Sequence, residues 1–206
     1  FGNSTPEFSG QALLDAYQWA ADILLTYHST PWEIDEAMED GGWGQGACLR
    51  QDQEGLEKAY HRRRSRQGDP RVCQVAAVDR AVKEGRLGRQ IGWGWYRYPG
   101  GGGPVQDPLV EDLLEEEAWL TGIQRTALSA DEISQRMRMA VLNKAKALVD
   151  SDRGTLPTIA RLCEHLCQFP GGASAVTRAL SPDNRDNLNT ELERLGGPLI
   201  DPWTRA

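Results

Sequence analysis

The sequence predicts an all-α fold built from two tandem helical repeats. Apolar residues recur at three- and four-residue spacing along several long segments, which is typical of amphipathic helices. Strand and helix patterns do not alternate, so a parallel α/β sheet is not expected. The two halves also resemble each other, because residues 16–25 align with residues 140–149 and residues 43–47 match residues 169–173. Both halves give the order long helix, short helix, glycine-rich loop, which indicates an internal duplication.

The first repeat, assigned to residues 1–102, begins with a long amphipathic helix from about Ser9. Its apolar stripe consists of Leu13, Leu14, Tyr17, Ala20, Ala21, Leu24 and Leu25. A short helix follows, since residues 30–33 (Thr-Pro-Trp-Glu) combine an N-cap, a first-turn proline and a first-turn acid. This helix is expected to end at Gly41, where a glycine-rich loop begins.

Two further helices are predicted in the first repeat, one around Leu56, Ala59 and Tyr60 and one over Val72–Val82. Residues 99–104, Pro-Gly-Gly-Gly-Gly-Pro, then have the composition of a turn and linker. This linker separates the two repeats in our assignment.

The second repeat, assigned to residues 103–206, begins with a helix that Asp107 and the following proline initiate. Acidic residues lie opposite apolar ones on this helix, as expected for one solvated face. A capping box at residues 129–132 starts a second long amphipathic helix, whose apolar stripe is Ile133, Met137, Ala140, Val141, Ala147 and Leu148. Two shorter helices and a loop are expected up to residues 169–173, and the residues after Leu180 match no known pattern.

Charge and hydropathy exclude several classes of function. The net charge is −7, which disfavours general nucleic-acid binding. Residues 61–66, His-Arg-Arg-Arg-Ser-Arg, are a local exception, interpreted as a solvated helix end or, alternatively, as a contact for phosphate or an acidic partner. No apolar run approaches the roughly 20 residues that cross a bilayer, and no signal peptide is visible. We therefore expect a cytoplasmic protein without membrane contact.

The cysteines at positions 48, 73, 163 and 167 are expected to be free thiols, because the sequence shows no C-x-x-C pair and no sign of secretion. Cys163, His165 and Cys167 are close enough in sequence to suggest a metal site. On a helix, however, His165 points away from the face that the two cysteines share. Buried thiols are the favoured interpretation, and no metal or cofactor site is predicted in this chain.

The most informative stretch is residues 85–98, Gly-Arg-Leu-Gly-Arg-Gln-Ile-Gly-Trp-Gly-Trp-Tyr-Arg-Tyr. Its glycines exclude a regular helix, since each interior glycine costs roughly 1 kcal/mol relative to alanine. They also permit positive φ angles and close backbone approach. The aromatic residues at its end supply apolar surface to bury. We therefore predict a packed loop with an aromatic plug, and this segment is called the glycine–aromatic loop below.

The glycine–aromatic loop resembles the motif G-R-x-G-x-K-T-G-x-G-F-Y-x-Y, which closes the helical C-terminal domain of 3-hydroxyacyl-CoA dehydrogenases. Gln90 and Ile91 stand where that family has lysine and threonine. Residues 8–12, Phe-Ser-Gly-Gln-Ala, are similar to the family's F-x-G-N-R, and residues 43–48, Trp-Gly-Gln-Gly-Ala-Cys, to its G-x-x-M-G-P-F loop. The acidic helix of residues 107–117 is similar to the one that joins two repeats in larger members. The resemblance implies two tandem domains of the 6-phosphogluconate dehydrogenase C-terminal-like type.

The resemblance also implies a function that depends on a further domain. Family members bind NAD on an upstream Rossmann domain and oxidise a 3-hydroxyacyl-CoA to the 3-ketoacyl-CoA in fatty-acid metabolism, as in beta-oxidation. The helical region would bind the acyl-CoA substrate and form a homodimer. Since this chain begins with Phe1 and has no Rossmann pattern, we expect a piece of a longer protein that is inactive on its own.

The same resemblance implies the site residues. Gln11 stands at the position of the family's asparagine, which orients the reacting groups, and it is the predicted catalytic residue. Gln11, Trp43, Gln45 and Gly46 are the predicted substrate-binding residues. The histidines of the chain fit none of the family's catalytic positions.

Several residues depart from the family pattern at the predicted site. Gln11 is one methylene longer than asparagine, and Ala12 replaces an arginine. Ala47 and Cys48 replace the proline and the phenylalanine of the glycine-rich loop. Two alternatives therefore stay open: a degenerate, non-catalytic dimerisation or scaffold module on the same fold, and an unrelated all-α binding domain.

Overall fold

The structure, a computed structural model, describes residues 6–64 and 76–195, and these residues are mostly helical. The all-α prediction is confirmed. In chain order the helices are α1 (Pro6–Tyr27), α2 (Pro31–Asp40), α3 (Ala47–Glu54), α4 (Leu56–Arg64), α5 (Ala76–Lys83), α6 (Pro108–Thr121), α7 (Ala130–Asp150), α8 (Leu156–Cys167), α9 (Gly172–Ala179) and α10 (Arg185–Leu195). Within the same residues, the short strands β1 (Tyr96–Arg97) and β2 (Val105–Gln106) form an antiparallel hairpin that brackets the predicted linker.

The helices of the first repeat follow most of the sequence signals. α2 begins after Thr30, whose amide and hydroxyl donate to the Glu33 carboxylate at 2.7 and 2.8 Å, and it ends before Gly41 as predicted. α3 was not predicted, because its residues are mostly polar and form no long apolar stripe. α5 begins at Ala76, and the first part of the helix predicted over Val72–Val82 lies outside the described residues.

The second repeat differs from the prediction in two places. α6 begins after Asp107, whose carboxylate accepts the amide of Leu109 at 3.3 Å, and α7 begins at the predicted capping box. One helix, α8, lies between α7 and Phe169, where two helices were predicted. The other short helix, α9, follows the second glycine-rich loop. After Leu180, where no pattern was recognised, the chain forms a 3₁₀ turn and α10.

The order of helices agrees with the predicted duplication. α1, α2 and α3 contain 22, 10 and 8 residues, and α7, α8 and α9 contain 21, 12 and 8. In both sets a glycine-containing loop precedes the last of the three helices. The boundary between residues 102 and 103 stays a prediction, because the two sets are closely packed: α1 contacts α7 and α8, and α2 contacts α7.

The buried apolar residues of both repeats form one continuous cluster. Leu13 and Tyr17 on α1 and Met137 on α7 are among its fully buried members. α2 and α7 approach closely at Gly41, where a Cβ atom would lie 2.1 Å from the hydroxyl oxygen of Ser134. This shared core fixes the position of one repeat against the other. None of the described helices combines the length and apolar character needed to span a membrane.

Candidate functional site

The predicted catalytic residue, Gln11, lies near the start of α1 with its side chain exposed. Its amide nitrogen donates to the Asp15 carboxylate at 2.9 Å, one turn further along the same helix. An amide NH₂ group carries two N–H donors, and the amide oxygen is an acceptor. The buried side of α1 contributes to the core, so the helix presents Gln11 outward on a rigid support.

Trp43, a predicted substrate-binding residue, is buried in the core. Its ring centroid lies 5.5 Å from that of Tyr17 and 5.5 Å from that of Phe169. Only 4% of Trp43 is exposed, and its indole nitrogen has no hydrogen-bond partner among residues 6–64 and 76–195. Trp43 therefore packs the glycine-rich loop of the first repeat against α1 and against the second repeat. A substrate does not reach its side chain in this conformation.

The other two predicted loop residues have different environments. Gln45 is partly exposed, and its backbone carbonyl accepts the Tyr17 hydroxyl at 3.4 Å. Gly46 is buried at the N-cap of α3, where a Cβ atom would lie 2.2 Å from the carboxyl carbon of Asp35. Gly46 thus serves close packing. Among the described residues, no hydrogen bond or ion pair joins Gln11 to this loop, so the structure does not gather the four predicted residues into one cluster.

A buried carboxylate that was not among the predicted site residues connects three elements of the first repeat. Asp35 on α2 accepts the amides of Cys48 and Leu49 and the hydroxyl of Tyr96, all at 2.8 Å. The two amides belong to the first turn of α3, where backbone donors lack helical partners and negative charge is favoured. Asp35 therefore joins α2, α3 and the glycine–aromatic loop.

Asp52 on α3 is fully buried beneath the glycine–aromatic loop. Its carboxylate accepts the backbone amides of Trp95 and Tyr96 at 2.7 and 2.9 Å and the Tyr98 hydroxyl at 2.9 Å. Gly94 permits this approach, because a Cβ atom there would lie 2.1 Å from a carboxylate oxygen of Asp52. The aromatic plug predicted from the sequence is present, and buried carboxylates hold it in place.

A buried ion pair anchors the glycine–aromatic loop to the start of α6. Nη1 of Arg86 lies 2.9 Å from the Asp107 carboxylate and donates to the Gly94 carbonyl at 3.1 Å. The indole N–H of Trp93 donates to the same carboxylate at 3.1 Å, and the Arg86 guanidinium lies 4.8 Å from the Trp93 ring centroid. These contacts connect the last loop of the first repeat with the first helix of the second.

Burial shifts the pKa values of these carboxyl groups. Desolvation raises the pKa of Asp35 to about 7, although the Tyr96 hydroxyl and two amides oppose the shift. Desolvation also raises the pKa of Asp52 to about 6 against the hydrogen bonds from the loop. Asp107 is desolvated as well, but its bonds from Arg86 and Trp93 outweigh that cost and lower its pKa. Since every donor to these carboxyls is a group of the fold itself, we interpret the network as a scaffold.

The described residues do not fit a metal ion or NAD. They contain no group of three or more histidine, cysteine, aspartate and glutamate side chains placed to hold a metal. Cys48, Cys163 and Cys167 are buried free thiols, and Cys73 lies outside the described residues. The parallel sheet and glycine-rich turn that cradle a dinucleotide pyrophosphate are not found in residues 6–64 and 76–195.

Two other polar features contain none of the predicted site residues. A cleft of about 290 Å³ lies between the end of α2 and the start of α7, with Asp40, Asp131 and Arg138 among its lining residues. The basic run of residues 61–66 begins in the last turn of α4 and continues outside the described residues. Its predicted alternative role as a phosphate or acidic-partner contact stays a prediction.

Helices that share one core, together with a glycine–aromatic loop held by buried carboxylates, define an all-α domain. Residues 9–98 match the family model described as "3-hydroxyacyl-CoA dehydrogenase, C-terminal domain". Residues 9–98 therefore form a C-terminal domain of the 3-hydroxyacyl-CoA dehydrogenase type, and the resemblance seen in the sequence is confirmed.

Curated relatives named peroxisomal bifunctional enzyme are similar to the chain. The protein from Danio rerio is 32% identical over 157 residues, which cover 68% of this chain and 21% of that protein. The protein from Homo sapiens is 27% identical over 155 residues, covering 67% of this chain and 21% of that protein. The chain thus spans about a fifth of the length of the relatives it matches.

A solved structure supports the fold. The dehydrogenase part of multifunctional enzyme 1 from C. elegans aligns with a TM-score of 0.63 at 15% sequence identity. The alignment covers 76% of this chain and 35% of that chain. It therefore extends beyond the family match of residues 9–98 into the second repeat, and at this identity it establishes the fold alone.

Proposed function

We propose that this chain is the helical, substrate-facing part of an NAD-dependent dehydrogenase that oxidises a 3-hydroxyacyl-CoA to the 3-ketoacyl-CoA. In this proposal an upstream Rossmann domain of the same protein binds NAD. The observation that carries the proposal is the family match of residues 9–98 together with an exposed amide, that of Gln11, at the family's asparagine position. The names of the curated relatives agree with a place in beta-oxidation.

The proposed role of Gln11 is polar stabilisation beside the reacting oxygen. Oxidation of a secondary alcohol requires a base that removes the hydroxyl proton, and in the proposal that base lies on the upstream domain. Asp15 engages one N–H of the Gln11 amide. In this proposal the second N–H donates to the C3 oxygen of the substrate, where a fixed donor stabilises developing charge. Gln45 borders the bound acyl-CoA in this proposal, and Trp43 and Gly46 contribute through packing.

The assay for this proposal uses the full-length protein and follows NADH formation from 3-hydroxybutyryl-CoA and a longer 3-hydroxyacyl-CoA. Gln11→Ala is expected to lower kcat by about 10²-fold, the size of effect seen when a polar group that stabilises a reacting oxygen is removed. Gln53→Ala, at an exposed glutamine on α3, is the matched control and is expected to leave kcat unchanged. An unchanged kcat for Gln11→Ala would remove Gln11 from the site.

A non-catalytic dimerisation or scaffold module is the second candidate. The departures at Ala12, Ala47 and Cys48 favour it, because they lie where the family pattern places the substrate-facing segments. This candidate predicts that the wild-type full-length protein forms no NADH from any 3-hydroxyacyl-CoA and yet assembles as a stable dimer. The same assay, combined with analytical ultracentrifugation, therefore separates the two candidates.

The homodimer and the cellular compartment are part of the proposal. A dimer was predicted from the resemblance, and sedimentation of the full-length protein tests it. The cytoplasm was predicted from the sequence, whereas the relatives carry peroxisomal in their names, which favours the peroxisome for this protein. Fluorescence microscopy of the tagged full-length protein distinguishes the two compartments.

A further inference from the structure

We infer that the second repeat positions the site turn of α1, defined as residues 8–11, through the loop between α7 and α8 and through α8 itself. The inference rests on the proposed role of Gln11. Three consecutive residues of the site turn, Phe8, Ser9 and Gly10, meet the second repeat, and the fourth, Gln11, is exposed. The second repeat, which contains no predicted site residue, thus contacts the part of the first repeat that contains Gln11.

The first contact is a buried hydrogen bond. Ser9 is 1% exposed, and its hydroxyl donates to the backbone carbonyl of Arg153 at 2.9 Å. The acceptor is itself fixed, because the amide of Arg153 donates to the Leu148 carbonyl of α7 at 2.9 Å. Asp152 adopts a left-handed φ of 54°, which reverses the chain just before this point. Ser9 therefore bonds to an ordered turn of the second repeat.

The second contact involves the side chain of Arg153. Its guanidinium carbon lies 5.6 Å from the ring centroid of Phe8, within the range of a cation–π interaction. Phe8 is half-exposed, so this contact forms at the surface of the protein. The same residue therefore holds two neighbouring positions of the site turn, one with its backbone and one with its side chain.

The third contact is close packing at Gly10. A Cβ atom at this position would lie 2.8 Å from Cδ1 of Leu166 and 3.8 Å from Cδ2 of Leu162, both on α8. The backbone of α1 therefore lies directly against side chains of α8. Together the three contacts fix both the rotation of the helix start and its distance from the second repeat.

Positioning matters at this place because the first turn of a helix lacks part of its backbone hydrogen bonds and frays easily. A misplacement of about 1 Å at a reacting group can cost about 10²-fold in rate. Ser9 and Arg153 are thus positioning residues, which act on the reaction through Gln11 and touch no substrate themselves.

The experiment measures kcat and KM of the full-length protein carrying Ser9→Ala or Arg153→Ala. Each change is expected to lower kcat about tenfold with KM within about twofold, since an interaction realised in the transition state is weakened. Arg153→Lys keeps a cation over Phe8 and is expected to restore most of kcat. Arg161→Ala, at an exposed arginine on α8, is the matched control and is expected to leave kcat unchanged.

A double-mutant cycle with Gln11→Ala separates this inference from the proposed function. In the Gln11→Ala background, Ser9→Ala is expected to cause no further loss of kcat, because the positioned group is gone. Additive losses would overturn the inference, and so would a normal kcat for both Ser9→Ala and Arg153→Ala beside an impaired Gln11→Ala. An unimpaired Gln11→Ala would instead overturn the proposed role of Gln11. Thermal unfolding of each variant shows whether a lower kcat reflects loss of folded protein.

Discussion

The glycine–aromatic loop and the start of α1 both carry family motifs, yet the structure holds them in opposite ways. Asp35, Asp52 and Asp107 fix the loop from inside the protein with fully buried hydrogen bonds and an ion pair. The side chain of Gln11 is exposed and bonds to Asp15 of its own helix. The difference shows that the motif most useful for recognising the family preserves the scaffold, while a residue facing outward has departed from the pattern. Substitutions in the loop should therefore reduce stability, and substitutions at the start of α1 should reduce activity.

Asp52→Ala is expected to have the largest effect on stability. It would lower the free energy of unfolding by about 5 kcal/mol, because two backbone amides and one hydroxyl would stay buried without their acceptor. Asp52→Asn keeps one acceptor oxygen and should lose about half as much. Urea denaturation followed by circular dichroism measures both. A loss below about 1 kcal/mol for Asp52→Ala would mean that other contacts hold the loop.

Arg86→Ala is expected to lower the free energy of unfolding by about 4 kcal/mol, because it leaves the Asp107 carboxylate buried without its closest cation. The matched control is Arg80→Ala. Arg80 bonds to Glu84 and Glu116 at the surface, where ion pairs contribute less than about 1 kcal/mol. Equal losses for the two variants in urea denaturation would contradict the buried anchor.

Gly46→Ala is expected to cost about 2 kcal/mol, because the new methyl group would overlap the Asp35 carboxyl group. The backbone angle is not the cause, since Gly46 has a φ of −68° that alanine adopts freely. Gly103→Ala serves as the control, because a Cβ atom there meets nothing within 4 Å. Differential scanning calorimetry of the two variants should show a lower Tm for Gly46→Ala only.

The pH dependence of stability tests the same carboxylates. The pKa values in the folded state, about 7 for Asp35 and about 6 for Asp52, lie above the ordinary value of 3.8. At a pH between 3.8 and the folded pKa, the folded state therefore binds more protons than the unfolded state. Their contribution to stability is complete below the unfolded pKa and is lost as the pH rises through the folded pKa. For each such proton, the free energy of unfolding falls by about 1.4 kcal/mol per pH unit.

The difference in free energy of unfolding between the wild type and Asp35→Asn isolates the share of Asp35 in this dependence. Between pH 4 and about 7 the wild type should lose stability relative to Asp35→Asn, because unfolding of the wild type releases the Asp35 proton over that range, whereas the asparagine has no such proton to release. Urea denaturation at several pH values measures the difference. A difference that stays constant, or that changes in the opposite direction, would contradict the raised pKa of Asp35.

Much of the fold was predictable because its long helices carry local signals. The apolar stripes of α1 and α7 and the caps at Thr30 and Ser129 each depend on residues that are close together in the sequence. α3 was missed for a physical reason: its mostly polar sequence is stabilised by Asp35, a residue on another helix that accepts the first amides of α3. Such a distant cap leaves no periodic signal in the sequence.

The site was less predictable than the fold. Family resemblance led to Gln11, whose side chain is exposed, and its role in the site stays a prediction. Trp43 and Gly46 were assigned to the substrate, but burial places both in the packing of the core. Asp35 and Asp52 were overlooked because an acid in a helix normally faces solvent. One signal could have revealed these two carboxylates. The hydroxyl groups of Tyr96 and Tyr98 need hydrogen-bond acceptors once the loop is buried, and Asp35 and Asp52 supply them.

One consequence of the shared core concerns the predicted duplication. The apolar side of α1 is covered by α7 and α8 as well as by helices of its own repeat. If each repeat once folded independently, α1 would have gained its contacts with α7 and α8 when the two repeats packed together. Deleting residues 103–206 would then expose the apolar side of α1, so the first repeat is expected to need the second in order to fold.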